Sequence, residues 1–162
     1  MKKLIIIRHA KAETTFTLND FERSLNDRGK ADAPVMAKRL QKKIKIDAIV
    51  SSPAKRTKKT AEFFAEVYSI DEKDIFYISA LYHAPASVFF EVVSALADRV
   101  DNVAIVAHNP GITEFANQLV PEAQLVNMPT CSMFAVQADV EHWSAFGKAK
   151  RAFLFFDYPK SV

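Results

Sequence analysis

One cysteine and three glycines occur in 162 residues, and each scarcity excludes something. A lone thiol, Cys131, cannot form an internal disulfide or a thiolate metal cluster, and it fits a reducing, cytoplasmic compartment. Gly29, Gly111 and Gly147 are too scattered to build a Walker loop or any other glycine-rich phosphate cradle. No Gly-x-Ser-x-Gly elbow is present for a serine hydrolase. No apolar run approaches the ~20 residues that cross a bilayer. The apolar stretch behind the two N-terminal lysines stops at Arg8, too soon for a secretory signal, so no membrane is expected. There is no internal repeat, low-complexity segment or linker, and 162 residues suit a single domain over the whole chain, 1–162. Net charge is only +3. The densest basic group, from Lys38 to Lys45, reads as the solvated end of a helix, where cations suit the dipole, and not as a nucleic-acid surface.

What is present is a regular alternation. Residues 4–7, Leu-Ile-Ile-Ile, form an unbroken β-branched run that reads as a strand buried on both faces. Asn26 suits a helix N-cap, and Ala33, Met36, Ala37, Leu40 and Ile44 repeat at helical spacing, with Pro34 expected to kink or locally unwind that helix. A second strand at 47–50 leads to Ser51-Ser52-Pro53, where a second helix should begin, with Ala61, Phe64, Ala65 and Tyr68 as its apolar stripe. A third strand at 75–78 precedes a helix opened by Pro85, and a fourth at 103–107 precedes one carrying Ile112, Phe115, Ala116 and Leu119. The pattern then changes. Residues 132–137 and 152–156 read as two strands with no long helix between them, able to pair antiparallel at one edge. The order implies a three-layer α/β sandwich, a mixed and mostly parallel sheet with helices on both faces.

In such sheets ligands bind beyond the carboxyl ends of the strands. Those ends carry Arg8 and His9; Ser51, Ser52 and, one turn on, Arg56; Tyr82 and His83; and His108 and Asn109. Two arginines and two or three histidines therefore converge on one rim. Guanidinium forks beside uncharged imidazoles suit a bound phosphate. A histidine-rich zinc site would sit poorly among arginines, and no carboxylates stand at ligand spacing, so no metal is expected. An imidazole remains as the candidate nucleophile. Lys11 can attract an anionic substrate, and Asn109 can order the turn into the next helix and touch phosphate. Asp20 and Arg23 can pair beside the rim. Thr130 and Ser132 are weaker candidates, while Trp143 and Cys131 read as core.

The segments Ile7-Arg8-His9-Ala10, Ser52-Pro53-Ala54-Lys55-Arg56 and Val106-Ala107-His108-Asn109-Pro110-Gly111 resemble the histidine phosphatase superfamily, whose hallmark is Arg-His-Gly after the first strand. Arg8-His9-Ala10-Lys11, Asp20-Phe21-Glu22-Arg23-Ser24-Leu25 with Arg28-Gly29, and the ending Phe155-Phe156-Asp157-Tyr158-Pro159-Lys160 resemble its SixA-like phosphohistidine phosphatase branch. The resemblance implies a phosphoglycerate mutase-like fold, no cofactor, and His9 as the nucleophile that takes the phosphoryl group. Arg8, Arg56 and His108 would then hold the three non-bridging oxygens. Two departures stand out. Ala10 replaces the hallmark glycine. Leu81-Tyr82-His83 stands where larger members carry a glutamate acid. Glu91 on the next helix and His83 are the substitute donors to consider, but Glu91 reads more simply as part of a solvated helix face and His83 equally as a rim residue with a packing role.

The expected function is a metal-independent phosphatase acting through a phosphohistidine intermediate. A missing acid suits a leaving group that needs little protonation, such as the imidazole of phosphohistidine on a partner protein. No insertion is long enough to lid a small molecule. A small-molecule phosphomonoesterase and a non-catalytic phosphate or acidic-peptide binder are the alternatives, the latter having no use for His9 as a nucleophile. Oligomeric state is not legible.

Overall fold

A computed structural model of the chain describes residues 1–14 and 19–161. Part of the polar connection after the first strand, residues 15–18, lies outside them. The elements are β1 (Lys2–Arg8), α1 (Asp27–Gln41), β2 (Ala48–Ser51), α2 (Lys55–Val67), β3 (Phe76–Tyr77), α3 (Ala86–Ser94), β4 (Asn102–Ala107), α4 (Gly111–Leu119), β5 (Met133–Ala138) and β6 (Arg151–Asp157). They form one sheet of order β3-β2-β4-β1-β5-β6. Neighbours from β3 to β1 pair parallel; β5 pairs antiparallel with β6, as expected of the last two strands, and also with β1, which the sequence pattern did not indicate.

The handedness of crossovers explains which helix lies where. From β1 the chain moves outward through α1 to β2 and through α2 to β3, then turns back through α3 to β4. Right-handed connections place helices on opposite faces when the direction of travel reverses. Accordingly α1 and α2 cover one face with Ile5 and Ile7, while α3 and α4 cover the other with Leu4 and Ile6. The unbroken apolar run in β1 is the consequence: alternate residues serve two cores, and all four are fully buried.

Local expectations meet the structure unevenly. Asn26 caps α1 by accepting from Gly29 N at 2.9 Å. The stripe on α4 is buried as read, and Pro85 is the N-cap of α3. Helix α1, however, runs unbroken through Pro34. Pro34 removes the donor for the carbonyl of Lys30, an exposed residue, where water can replace it. Helix α2 begins at Lys55, two residues beyond Pro53, because the preceding turn uses its own groups: Thr57 Oγ1 donates to the carbonyls of Ser52 and Ala54. Strand β3 is only two residues long: Phe76 and Tyr77 pair with Val50 and Ser51, and the ladder ends as Ile78 N donates to the carbonyl of Ser51, the last residue of β2.

Gly111 opens α4 where the chain presses against the loop before α3. A Cβ there would lie 1.8 Å from the carbonyl oxygen of Ala84, so only glycine fits. This packing brings the end of β4 and the segment carrying Tyr82 and His83 together on the same rim.

Candidate active site

Strand β1 is central, and its last residues are tied from both sides. Arg8 N donates to Ser132 O at 3.1 Å, and His9 N to Ala107 O at 3.2 Å. Cys131 N then bridges the carbonyls of Arg8 and His9 at 3.1 and 3.0 Å, from a left-handed backbone with φ 59°. Ala10 N donates to Thr60 Oγ1 at 3.0 Å, and Thr60 in turn donates to Arg56 O at 2.8 Å. The turn that presents His9 is therefore anchored to β4, to the approach of β5 and to α2 at once.

All seven residues expected at the site line one cavity of about 190 Å³: Arg8, His9, Lys11, Arg56, His83, His108 and Asn109. Asp20, Arg23 and Thr130 join them. Glu91 does not; it lies on α3 beside a separate apolar groove with Phe76 and Arg99. Ser132 is buried behind the rim, and Trp143 is fully buried in the α3–α4 core.

His9 Nδ1 lies 2.8 Å from the carbonyl oxygen of Ala10. A carbonyl only accepts, so Nδ1 carries the proton and Nε2 keeps its lone pair. That acceptor was not identifiable in the sequence. His108 Nε2 meets Ser52 Oγ at 2.8 Å, and Ser52 Oγ also accepts from Ala54 N at 3.4 Å. The serine proton is thus free to go to His108 Nε2, which leaves Nδ1–H as the histidine's own donor. Burial, chiefly, and then Arg56, Arg8 and Arg23 push His9 down to about 3, against the lift from its bond to Ala10. Burial, chiefly, and the charge of Arg56 push His108 down to about 2. Both rings are neutral at physiological pH.

Three of the buried polar atoms without a protein partner among the described residues belong here: Arg8 Nε, Arg56 Nε and His108 Nδ1. Burial and its neighbour Arg56 both disfavour the charge on Arg8. Two guanidiniums facing one cavity repel, and an oxyanion between them relieves the repulsion while satisfying the spare donors.

The residue that sequence reasoning underrated is Asp20. Its carboxylate accepts five hydrogen bonds: two from Arg23 at 3.1 and 2.8 Å, and one each from Arg56 Nη2 at 2.9 Å, Tyr82 Oη at 2.6 Å and His83 Nε2 at 3.0 Å. Its carbonyl takes Arg56 Nη1 at 2.7 Å. Burial pushes this carboxyl up, but the bonds from Tyr82, Arg23 and Arg56 outweigh it and hold Asp20 below the usual carboxylate range. Proximity of Asp20 to Arg23 was the only visible signal; the partners 62 and 63 residues away were not.

The neutral histidines make stability depend on pH. An unfolded imidazole titrates near 6.5. Below that pH the unfolded chain binds protons that buried His9 and His108 refuse, so stability is full above pH 6.5 and falls as pH drops toward their folded values. The slope should approach about 1.4 kcal/mol per pH unit for each histidine. Urea melts at pH 7, 6 and 5 should show falling midpoints; a constant midpoint would mean that the folded protein carries these rings protonated.

Among the described residues, no group of three His, Cys, Asp or Glu side chains is arranged to hold a metal ion, and no helix is long and apolar enough to cross a membrane. A sequence model of the histidine phosphatase superfamily (branch 1) matches residues 4–74. No curated protein matches the sequence. Among solved structures, a protein from Agrobacterium tumefaciens named as a SixA phosphohistidine phosphatase superposes with a TM-score of 0.81 at 25% identity, over 98% of each chain. A protein histidine phosphatase SixA complexed with tungstate superposes with a TM-score of 0.82 at 20% identity, over 97% of each chain. A mycobacterial glucosyl-3-phosphoglycerate phosphatase gives 0.69 at 19% identity, over 94% of this chain and 97% of its own.

Proposed function

We propose that this chain, which matches the histidine phosphatase superfamily model over residues 4–74 and is SixA-like in its architecture, is a phosphatase that passes a phosphoryl group to His9 and then to water, without a metal, and that its substrate is phosphohistidine on a partner protein. The observation that carries this reading is the bond from His9 Nδ1 to Ala10 O. It fixes the ring, and it leaves Nε2 as a lone pair in a cavity lined by Arg8, Arg56 and His108.

In the first step Nε2 attacks phosphorus, a P–N bond forms, and the bond to the leaving group breaks with its electron pair. Nδ1 keeps its proton throughout. The phosphorylated ring is therefore a cation, and in the second step it departs from phosphorus as a neutral imidazole. Arg8, Arg56 and His108 Nδ1–H stabilise the equatorial oxygens, which is most of what phosphoryl transfer asks of a protein. Lys11 lines the cavity and draws the anion, whereas the Asn109 amide donates to Asn127 Oδ1 and Met128 O and so orders the loop beside it. The tungstate bound by the SixA relative, a tetrahedral oxyanion, agrees with this reading.

The substrate preference rests on the missing acid. Glu91 is elsewhere, the carboxylate that does line the cavity, Asp20, is held ionised by its donors, and the Nε2–H of His83 is spent on Asp20. A leaving imidazole tolerates this better than an alkoxide. The cavity takes a phosphoryl group and little more, so the rest of the substrate stays outside, as a side chain on a protein surface would. The single buried thiol suits a reducing cytoplasm.

The test is a turnover panel with and without a chelator: a phosphohistidine protein, an aryl phosphate, phosphoserine, sugar phosphates and nucleotides. Phosphohistidine and aryl phosphate should turn over well, alkyl phosphates poorly, and exhaustive chelation should change nothing. A preference for an alkyl phosphate would shift the assignment to a small-molecule phosphomonoesterase, and binding without turnover would make the pocket a phosphate-recognition module.

A further inference from the structure

The second step needs a group to take a proton from water, and His9, Arg8, Arg56 and His108 are all committed. Resting on the phosphoryl-His9 reading above, we propose that His83, held by Asp20, is the general base that activates the water attacking phosphorylated His9. The geometry is that of a carboxylate–imidazole pair. Asp20 Oδ2 lies 3.0 Å from His83 Nε2. Since Asp20 is ionised and only accepts, Nε2 carries the proton and Nδ1 keeps the lone pair.

Three further observations set His83 apart from a packing residue. Its backbone is left-handed, with φ 53°, a conformation a histidine adopts at a cost and one that clusters at functional sites. Its ring is braced by Tyr82, with centroids 4.1 Å apart, and stands 5.5 Å from the ring of His108, which is 5.4 Å from that of His9. Its side chain is 51% exposed although it lines the cavity, so water reaches the imidazole while its direction stays fixed. A ring that served the core would be covered.

The step balances. Water oxygen forms a bond to phosphorus, the P–Nε2 bond of His9 breaks with its pair returning to Nε2, and the proton from water goes to His83 Nδ1. Phosphate leaves, and the His83 imidazolium returns its proton to solvent. Asp20 touches no reacting atom. It is a positioning residue, fixing the tautomer and direction of His83 and gripping Arg56 through Nη1 and Nη2. The base acts after the leaving group has gone, so it serves every substrate equally and leaves the preference for weakly basic leaving groups intact.

The experiment is rapid-quench kinetics on His83→Asn, because asparagine accepts the left-handed backbone and lacks a basic nitrogen. With an aryl phosphate, release of the aryl alcohol in the first turnover should stay within about threefold of the parent, while steady-state turnover falls about 10²–10⁴-fold, the range expected of a general base. A burst should appear, and acid-labile phosphoryl-His9 should accumulate toward one per chain. Adding Asp20→Asn to His83→Asn loosens Arg56 in both steps, so it should slow phosphorylation and dephosphorylation by the same factor and leave their ratio unchanged, because Asp20 and His83 act as a unit in taking the proton from water. Equal loss in both phases, without accumulation, would make His83 a binding residue and overturn the proposal. So would a further loss from Asp20→Asn confined to dephosphorylation. Absence of His9 label in the parent enzyme would overturn the covalent reading as well, and the parent alone tells the two failures apart.

Discussion

His9→Ala should abolish turnover, a fall on the order of 10⁴–10⁶-fold, since residues that act as a catalytic unit lose nearly all of its effect when the nucleophile goes. Incubation with an activated phosphoryl donor should label the parent protein with an acid-labile, alkali-stable group, and the variant should take up none. Label retained in His9→Ala would sink the nucleophile assignment. The fold should survive the change. The His9 ring makes its one hydrogen bond to the carbonyl of the adjoining residue, and the turn is held by backbone bonds to Ala107 and Cys131 that an alanine keeps. Losing a buried neutral ring also removes one of the two buried histidines that make acid destabilising. The variant should therefore show a shallower loss of stability below pH 6.5 than the parent, an independent sign that the site is altered and the protein folded.

Arg56→Ala should cost about 10³-fold in kcat/KM, at the upper end of the ~2.7–4 kcal/mol expected for an oxyanion donor. The reason is that Arg56 has two tasks. Its buried Nε has no protein partner, and its two terminal nitrogens hold the carbonyl and carboxylate of Asp20. Its side chain is 2% exposed against 40% for Asp20. The carboxylate left behind keeps Arg23, Tyr82 and His83, so the stability cost should be well below that of stranding a buried charge. Lysine should restore little, because a point charge cannot hold Asp20 through two nitrogens and present a third to phosphate. The check pairs kcat/KM for an aryl phosphate with inhibition by tungstate, which should weaken in parallel. Lost thermal stability with unchanged turnover would make Arg56 a strut.

Leu4 to Ile7 illustrate how far one dimension reaches. A continuous β-branched run can be buried only if both faces are covered, so the three-layer form follows from four residues and the helices behind them. The N-cap at Asn26 and the stripe Ile112, Phe115, Ala116, Leu119 are equally local, and chemistry at strand ends follows from parallel packing. Seven site residues were thereby placed on one rim. Where neighbours decide, the sequence is silent: β3 extends only as far as β2 offers partners, and α2 starts only where Ser52 and Thr57 release the chain.

The tertiary structure alone decided which rim residues touch. Arg23 stands three residues from Asp20, but Arg56, Tyr82 and His83 reach that carboxylate from two other segments. Thr60 receives the Ala10 amide from 50 residues away, and Cys131 clamps the carbonyls of Arg8 and His9 from the turn that leads into β5. Periodicity reports which side of an element is apolar, because each element must bury that side whatever its partner. It carries no record of the partner. Strand order sets that, and here β4 enters between β2 and β1 while β5 closes the other flank, so the bonds that tune His9, Asp20 and His83 exist only after the sheet is assembled.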